Sequence, residues 1–265
     1  MSSVKSAIST TRRQMSHLSL ATKTRLRMAT GRKPRFTGAF PDREAALASL
    51  PPHARQAYDQ DVVVDVSRER MQRVEPWDYP VLYWMQRCLG EGRLSLLDAG
   101  GHVGTKFTAF SEHLPMNRLD WNVWDLPAIL RAGRAGQAEG TVPAALRFVD
   151  TPAAPGPVDL LLASGLLQFF DRPLAQLIAE MAELPAWIIL NKVAVRDGDT
   201  VVTLEQVGPA QIPYQIRGEA DWLSELESLP YRLVDSWDNP TLRHRIGTHP
   251  WLGESRSKGY VLQRR

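Results

Sequence analysis

Two aspartates and three glycines form the most informative pattern of chemistry-bearing residues in the chain. Asp98 precedes Gly100, Gly101 and Gly104, and Asp125 lies 21 residues beyond the last glycine. Glycines let the backbone turn sharply and approach a ligand closely, and the first amides of a following helix can donate to an anionic group. The pattern predicts a site for a nucleoside-containing ligand, with Asp98 facing a positive group and Asp125 accepting from both ribose hydroxyls.

Further residues complete this predicted ligand site. Leu126 follows Asp125 and would pack against the nucleobase, and Asp150 could accept from the amino group of that base. Ser164 follows a later apolar run and is assigned to the same ligand. His102 lies inside the glycine turn, where its side chain would narrow the site.

Other residues are candidates to orient or deprotonate a second substrate. The amide of Gln168 can orient a nucleophile but cannot remove its proton. Lys192 and His244 are the candidate bases, with His102 and His249 as open alternatives. His244 and His249 have no carboxylate or further histidine at ligand spacing, so no metal site is predicted.

The elements that would position these residues follow from the apolar runs of the sequence. Each run ends close to one of the polar residues above, which is typical of buried parallel strands followed by binding loops. Alternation of such strands with helical segments predicts an α/β, doubly wound parallel sheet. The predicted strands are residues 94–98, 121–125, 146–149, 158–163 and 187–190, and the helices between them are residues 103–114, 127–138 and 173–184.

The remaining segments are predicted to surround this sheet. Asp42 can cap a helix, and a second helix is predicted before the first strand, so this region is expected to form a helical cap. The sequence after the fifth strand predicts an inserted ribbon and then two antiparallel strands at the end of the sheet. The elements are helices at 43–50 and 77–89, a ribbon at 200–207 and strands at 231–237 and 259–263.

Positive charge is concentrated at the start of the chain. Residues 1–41 contain nine Lys or Arg and no acid, whereas the rest contains 23 bases and 29 acids. The Ser/Thr-rich composition predicts a disordered arm, which could contact an anionic partner; an acid-free, Arg-rich start also resembles a transit peptide. The predicted division is a basic arm at 1–35, a helical cap at 36–92 and a ligand-binding domain at 93–265.

Cysteine content and hydropathy limit the classes of protein. Cys88 is the only cysteine, so an intrachain disulfide and a thiolate metal cluster are both excluded. The sequence lacks the roughly 20 consecutive apolar residues that a membrane-spanning helix requires. We therefore expect a soluble, cytoplasmic protein of unknown oligomeric state.

Three motifs resemble those of class I S-adenosylmethionine-dependent methyltransferases. Asp98-Ala-Gly-Gly-His-Val-Gly104 resembles motif I, Trp124-Asp-Leu-Pro127 resembles the acidic motif that follows it, and residues 164–173 resemble the segment after the fourth strand. The chain from residue 36 onward also resembles a largely uncharacterised family of methyltransferases, often encoded near polysaccharide or lipopolysaccharide biosynthesis genes. The residues shared with that family are Phe36-Thr-Gly38, Glu44-Ala45, Leu167-Gln168, Thr203-Leu-Glu-Gln-Val207 and Tyr214.

This resemblance implies a fold, a cofactor and an activity. It implies a Rossmann-like sheet of seven strands in the order 3-2-1-4-5-7-6, with S-adenosylmethionine bound at the glycine turn. The implied activity is methyl transfer to a hydroxyl, in preference to an amine, of a small molecule or sugar intermediate. An inactive methyltransferase-like binding or scaffold protein is one alternative. An NAD-linked oxidoreductase is another, although Ala99 stands where its Gly-x-Gly-x-x-Gly motif needs the first glycine.

Overall fold

The computed structural model describes residues 2–31, 34–51, 72–208 and 210–265, with side chains from residue 14 onward. Its α-helices are α1 Ser2–Ala29, α2 Arg43–Ala48, α3 Tyr79–Leu89, α4 Thr105–Phe110, α5 Pro127–Ala138, α6 Leu174–Ala179 and α7 Glu219–Ser228. Its strands are β1 Phe36–Phe40, β2 Leu94–Ala99, β3 Leu119–Trp124, β4 Arg147–Phe148, β5 Leu160–Ser164, β6 Trp187–Arg196, β7 Val201–Val207, β8 Ala210–Gly218, β9 Tyr231–Asp238, β10 His244–Arg245 and β11 Glu254–Arg264.

The central sheet has the order β4-β3-β2-β5-β6-β11-β9, which is the predicted order 3-2-1-4-5-7-6. The first five of these strands are parallel, and β11 is antiparallel to both β6 and β9. Leu96 and Leu97 on β2 point to opposite faces and both are fully buried, as expected for a strand covered on two sides. The prediction of a doubly wound, Rossmann-like α/β sheet is confirmed.

The direction of chain progression changes between β2 and β5. From β2 the chain proceeds outward to β3 and β4, and it then returns to β5 and β6 on the other side of β2. Open α/β sheets bind ligands beyond the carboxyl ends of the strands at such a switch point. The fold therefore places the glycine turn after β2 and the loop after β5 next to each other.

The predicted ribbon is present, and its outer edge is covered by a strand that the sequence did not indicate. β7 pairs with β8, and β8 pairs with the carboxyl end of β6 through Val195 and Arg217. β1 pairs with β7, and Thr203 Oγ1 donates to the Thr37 carbonyl at 3.0 Å. The predicted helical cap therefore also contains a strand, because Phe36–Phe40 satisfies the backbone hydrogen bonds of an otherwise open strand edge.

The other cap predictions concern helices. α2 begins after Asp42, whose carboxylate accepts from the Ala45 amide at 2.7 Å, as predicted. α3 covers most of the second predicted helix. Residues 52–71 of the predicted cap lie outside the described residues.

The predicted disorder of the basic arm is also wrong where the structure describes it, because residues 2–29 form α1. No glycine or proline occurs between residues 2 and 30, so the local sequence does not interrupt a helix. Ala21 and Thr24 are buried, and Thr24 lies next to Gly247. Tertiary contacts therefore stabilise a segment whose composition alone suggested disorder. No helix within the described ranges is both long enough and apolar enough to cross a bilayer.

Candidate functional site

The turn between β2 and α4 requires glycine at several positions. Gly100 and Gly104 have φ angles of +75° and +81°, in the left-handed region that side chains disfavour. A β-carbon on Gly101 would lie 2.5 Å from Asp98 Oδ2. The Gly100 amide donates to the Trp124 carbonyl at 2.8 Å, which holds the turn against the end of β3.

Asp125 connects the ends of β2 and β3. One of its carboxylate oxygens accepts from the His102 amide at 2.8 Å, and the other accepts from the Leu126 amide at 2.7 Å. Burial raises the pKa of Asp125, and these two amide donors partly oppose that shift. Each carboxylate oxygen can accept more than one hydrogen bond, so the group can brace the turn and still accept from a ligand.

Asp98 lies beneath the turn and is 1% exposed. The indole nitrogen of Trp121 donates to its Oδ2 at 3.0 Å. Burial nevertheless raises the pKa of Asp98 to about 7. A positive ligand group close to this carboxyl would favour its ionised form.

Two residues other than glycine have a positive φ in the part of the chain that the structure describes, and both flank the switch point. They are His102 at +55° and Lys192 at +59°. Such a conformation costs about 1–3 kcal/mol per residue and occurs often at functional sites. His102 is buried within the turn, and its ring lies close enough to Asp125 to lower the pKa of that carboxyl.

Gln168 and Lys192 converge on the loop that follows β5. A β-carbon on Gly165 would lie 3.1 Å from Lys192 Nζ and 3.6 Å from Gln168 Nε2. Gln168 is 8% exposed, and its Oε1 has no hydrogen-bond partner among the described residues. Burial lowers the pKa of Lys192 to about 8, and the charge of Lys106 adds to this effect. The two predicted acceptor-side residues therefore lie together.

Asp78 and Lys106 belong to this region, although the sequence did not single them out. Lys106 Nζ donates to Asp78 Oδ2 at 2.6 Å, and both side chains are buried. The same Asp78 oxygen accepts from the Glu75 amide at 3.0 Å, at the start of the turn that leads into α3. The charge of Lys106 lowers the pKa of Lys192, and the charge of Asp78 raises it. Because Asp78 and Lys106 are 28 residues apart, no local sequence pattern indicated this contact.

The solvent-exposed part of the site is its rim. Residues 101–104 are buried, whereas Gly100, Asp125 and Leu126 are half-buried, as are Ser164 and Gly165 across the switch point. The Ser164 hydroxyl accepts from Asn191 Nδ2 at 3.3 Å. The accessible rim thus combines the end of β3 with the loops after β2 and β5.

Two predicted residues lie away from this rim. The ring of His244 packs 5.0 Å from the ring of Phe36 at the ribbon, and burial lowers the pKa of His244 to about 4. This position gives no support to its predicted role as a base. Asp150 is exposed and forms a 2.8 Å salt bridge with Arg134, so its predicted contact with a nucleobase would require that pair to separate.

His249, the other histidine considered as a base, also lies away from the carboxyl ends of the central strands. His249 precedes the 3-10 turn Pro250–Leu252, and its ring packs 5.0 Å from that of Trp251. Among the described residues, no group of three His, Cys, Asp or Glu side chains could hold a metal ion.

Several solved structures resemble the chain at low identity. No protein-family model matches the sequence, and no curated protein sequence matches it. The 1,6-didemethyltoxoflavin-N1-methyltransferase of Burkholderia thailandensis is 18% identical, with a TM-score of 0.46 over 80% of this chain and 82% of that one. The glycopeptide N-methyltransferase MtfA is 11% identical, with a TM-score of 0.49 over 73% and 92% of the two chains. The magnesium protoporphyrin IX methyltransferase of Synechocystis is 15% identical, with a TM-score of 0.43 over 75% and 79%.

Proposed function

We propose that the chain binds S-adenosylmethionine at the glycine turn and transfers its methyl group to an acceptor. The observation that carries this proposal is the hydrogen bond from the His102 amide to Asp125, which joins the ends of β2 and β3 into one site. In this arrangement Asp125 would accept from the ribose hydroxyls and Leu126 would pack against the adenine. Asp98 would hold the amino group of the methionine part, directly or through water, and Ser164 lies on the opposite rim.

The chain's own residues fit this cofactor. Three of the half-buried rim residues contribute to this fit. Gly100 allows the ligand to approach the backbone closely, Asp125 provides a carboxylate, and Leu126 provides an apolar surface. When bound, the cofactor supplies an electrophilic methyl group on a sulfonium. The reversed strand β11 also supports this cofactor over NAD, because the dinucleotide-binding sheet continues with parallel strands.

We propose that the acceptor enters beside Gly165 and presents a hydroxyl, in preference to an amine, of a small molecule or sugar intermediate. Gln168 would orient that group through its buried amide, and Lys192 would remove its proton when neutral. The sequence resemblance to a family encoded near polysaccharide biosynthesis genes supports a sugar acceptor. A cytoplasmic location remains part of this proposal.

Replacing Asp125 by alanine should weaken S-adenosylhomocysteine binding by roughly 1–3 kcal/mol, because ligand hydroxyls and turn amides lose their acceptor. Titration calorimetry measures this change. Asp120→Ala is the matched control, since Asp120 lies on β3, which ends just before Asp125, but is exposed and pairs with Arg93. Binding of NAD in place of S-adenosylhomocysteine by the wild type would contradict the proposed cofactor.

The pH dependence of turnover should distinguish the two acceptor-side residues. Because a lysine is a base only when deprotonated, turnover should rise with pH through about 8. Lys192→Met should lower turnover about 100-fold and remove this rise. Gln168→Ala should lower turnover about 10- to 100-fold and leave the rise in place, because orientation does not depend on titration.

Those measurements need an acceptor, which a screen of sugar and small-molecule hydroxyls with labelled cofactor can supply. Gln176→Ala, on the exposed side of α6, is the control for the glutamine replacement. Full activity in both the Lys192 and the Gln168 variants would refute this location for the acceptor.

A methyltransferase-like binding protein without turnover is the alternative, and His102 is the observation that favours it. A buried imidazole stands inside the turn at φ +55°, where glycine would be unstrained. On this hypothesis the protein binds S-adenosylhomocysteine and transfers no methyl group to any acceptor in the screen. Transfer to one acceptor would exclude it.

A further inference from the structure

Helix α1 has one face packed on the protein. Ala21 and Thr24 on this face are buried, and Thr24 lies against Gly247. These contacts hold the helix against the body, so its outer face has a fixed direction relative to the rest of the chain.

The outer face of α1 is exposed and largely apolar. Met15, Leu18 and Leu26 are 60%, 63% and 67% exposed. These three residues fall within an arc of about 80° at 3.6 residues per turn, with exposed Thr22 on the same arc. We call Met15, Leu18 and Leu26 the apolar stripe.

The charge of α1 is of one sign. The helix contains six Lys or Arg and no Asp or Glu, and the exposed Arg25 and Lys23 lie on either side of the apolar stripe. A long helix with an exposed apolar face and surrounding bases is typical of segments that lie in the headgroup region of a membrane. Anionic headgroups attract the bases, and the acyl chains accept the apolar side chains.

We propose that the apolar stripe of α1 docks on an anionic lipid surface, with the helix axis parallel to the membrane. This proposal goes beyond the proposed methyl transfer and does not depend on it. Beyond residue 41 the chain carries 23 bases and 29 acids, so an anionic surface would attract α1 and repel the remainder. That asymmetry orients the protein with α1 toward the lipid.

A nucleic acid and a second copy of α1 both fit the apolar stripe and its charge less well than an anionic membrane does. A nucleic acid offers phosphates to the bases but no apolar phase for Met15, Leu18 and Leu26. A second copy of α1 would bring six bases against six bases with no acid to compensate them. The combination of an apolar face and uniform positive charge matches an anionic membrane.

The test is sedimentation of the full chain with vesicles of phosphatidylcholine alone and with vesicles that also contain about 30% phosphatidylserine. We expect binding to the anionic vesicles only, and weaker binding as salt screens the charges. The variant L18Q/L26Q should reduce binding at least about tenfold, since it removes apolar area and retains every charge. Glutamine has nearly the helix propensity of leucine, so circular dichroism should show an unchanged helix content.

The control is L184Q/L233Q, which replaces two exposed leucines of the body and should bind the vesicles as the wild type does. Equal binding of L18Q/L26Q and wild type would overturn the proposal, as would equal binding to both kinds of vesicle. Binding to labelled duplex DNA or RNA without binding to anionic vesicles would identify a nucleic-acid surface instead. Calorimetry with S-adenosylhomocysteine tests the cofactor site separately.

Discussion

Gly100→Val should abolish detectable binding of S-adenosylhomocysteine, lowering affinity by about 100-fold or more. Valine is strongly disfavoured at the φ of +75° that Gly100 adopts. Its β-carbon would also lie 3.0 Å from the β-carbon of Leu166, across the switch point. The side chain would thus force apart the two loops that form the rim and would fill the closest point of ligand approach.

A matched variant separates backbone strain from loss of the site. Gly156 has a φ of +80°, and a β-carbon there would meet no atom within 4 Å. Gly156→Val should therefore lower the melting temperature through strain and retain affinity. Calorimetry gives the affinities, and circular dichroism checks that both variants are folded. Wild-type affinity in Gly100→Val would show that the ligand binds elsewhere.

Lys106→Met should reduce the free energy of unfolding by about 3–5 kcal/mol, the usual cost of removing one partner from a buried ion pair. Lys106 and Asp78 are almost fully buried and 2.6 Å apart. Without the ammonium group, the one hydrogen bond left to the Asp78 carboxylate within the described part of the chain would be that from the Glu75 amide. Urea unfolding followed by circular dichroism measures this loss.

Two further variants make this result specific to the buried pair. Arg93→Met breaks the Arg93–Asp120 pair, whose side chains are 63% and 58% exposed, and should cost less than about 1 kcal/mol. Adding Asp78→Asn to Lys106→Met removes the isolated charge and should recover part of the lost stability. A Lys106→Met variant as stable as Arg93→Met would show that the pair contributes little to folding.

Much of the fold could be predicted because its signals are local. The runs at 94–98 and 121–125 end in Asp98 and Asp125, and short apolar runs that alternate with helical segments indicate a parallel sheet. The ribbon was also predictable from its β propensity. β1 was not, because Phe36–Phe40 becomes a strand by pairing with β7, more than 160 residues further along the chain. Helix α1 was missed because composition suggested disorder, whereas contacts near Gly247 stabilise its buried face.

The candidate site was likewise predictable in part from the sequence and in part only from the tertiary structure. The sequence by itself determined the glycine turn and the acid at the end of each of the first two predicted strands, since the turn needs residues without a side chain and strand ends are set by local pattern. Only the tertiary structure decided that Asp125 holds the His102 amide, that Lys192 and Gln168 meet at Gly165, and that Lys106 pairs with Asp78. It also placed His244 against Phe36 rather than beside the turn. Contacts between elements distant in sequence depend on packing, and no local spacing encodes them.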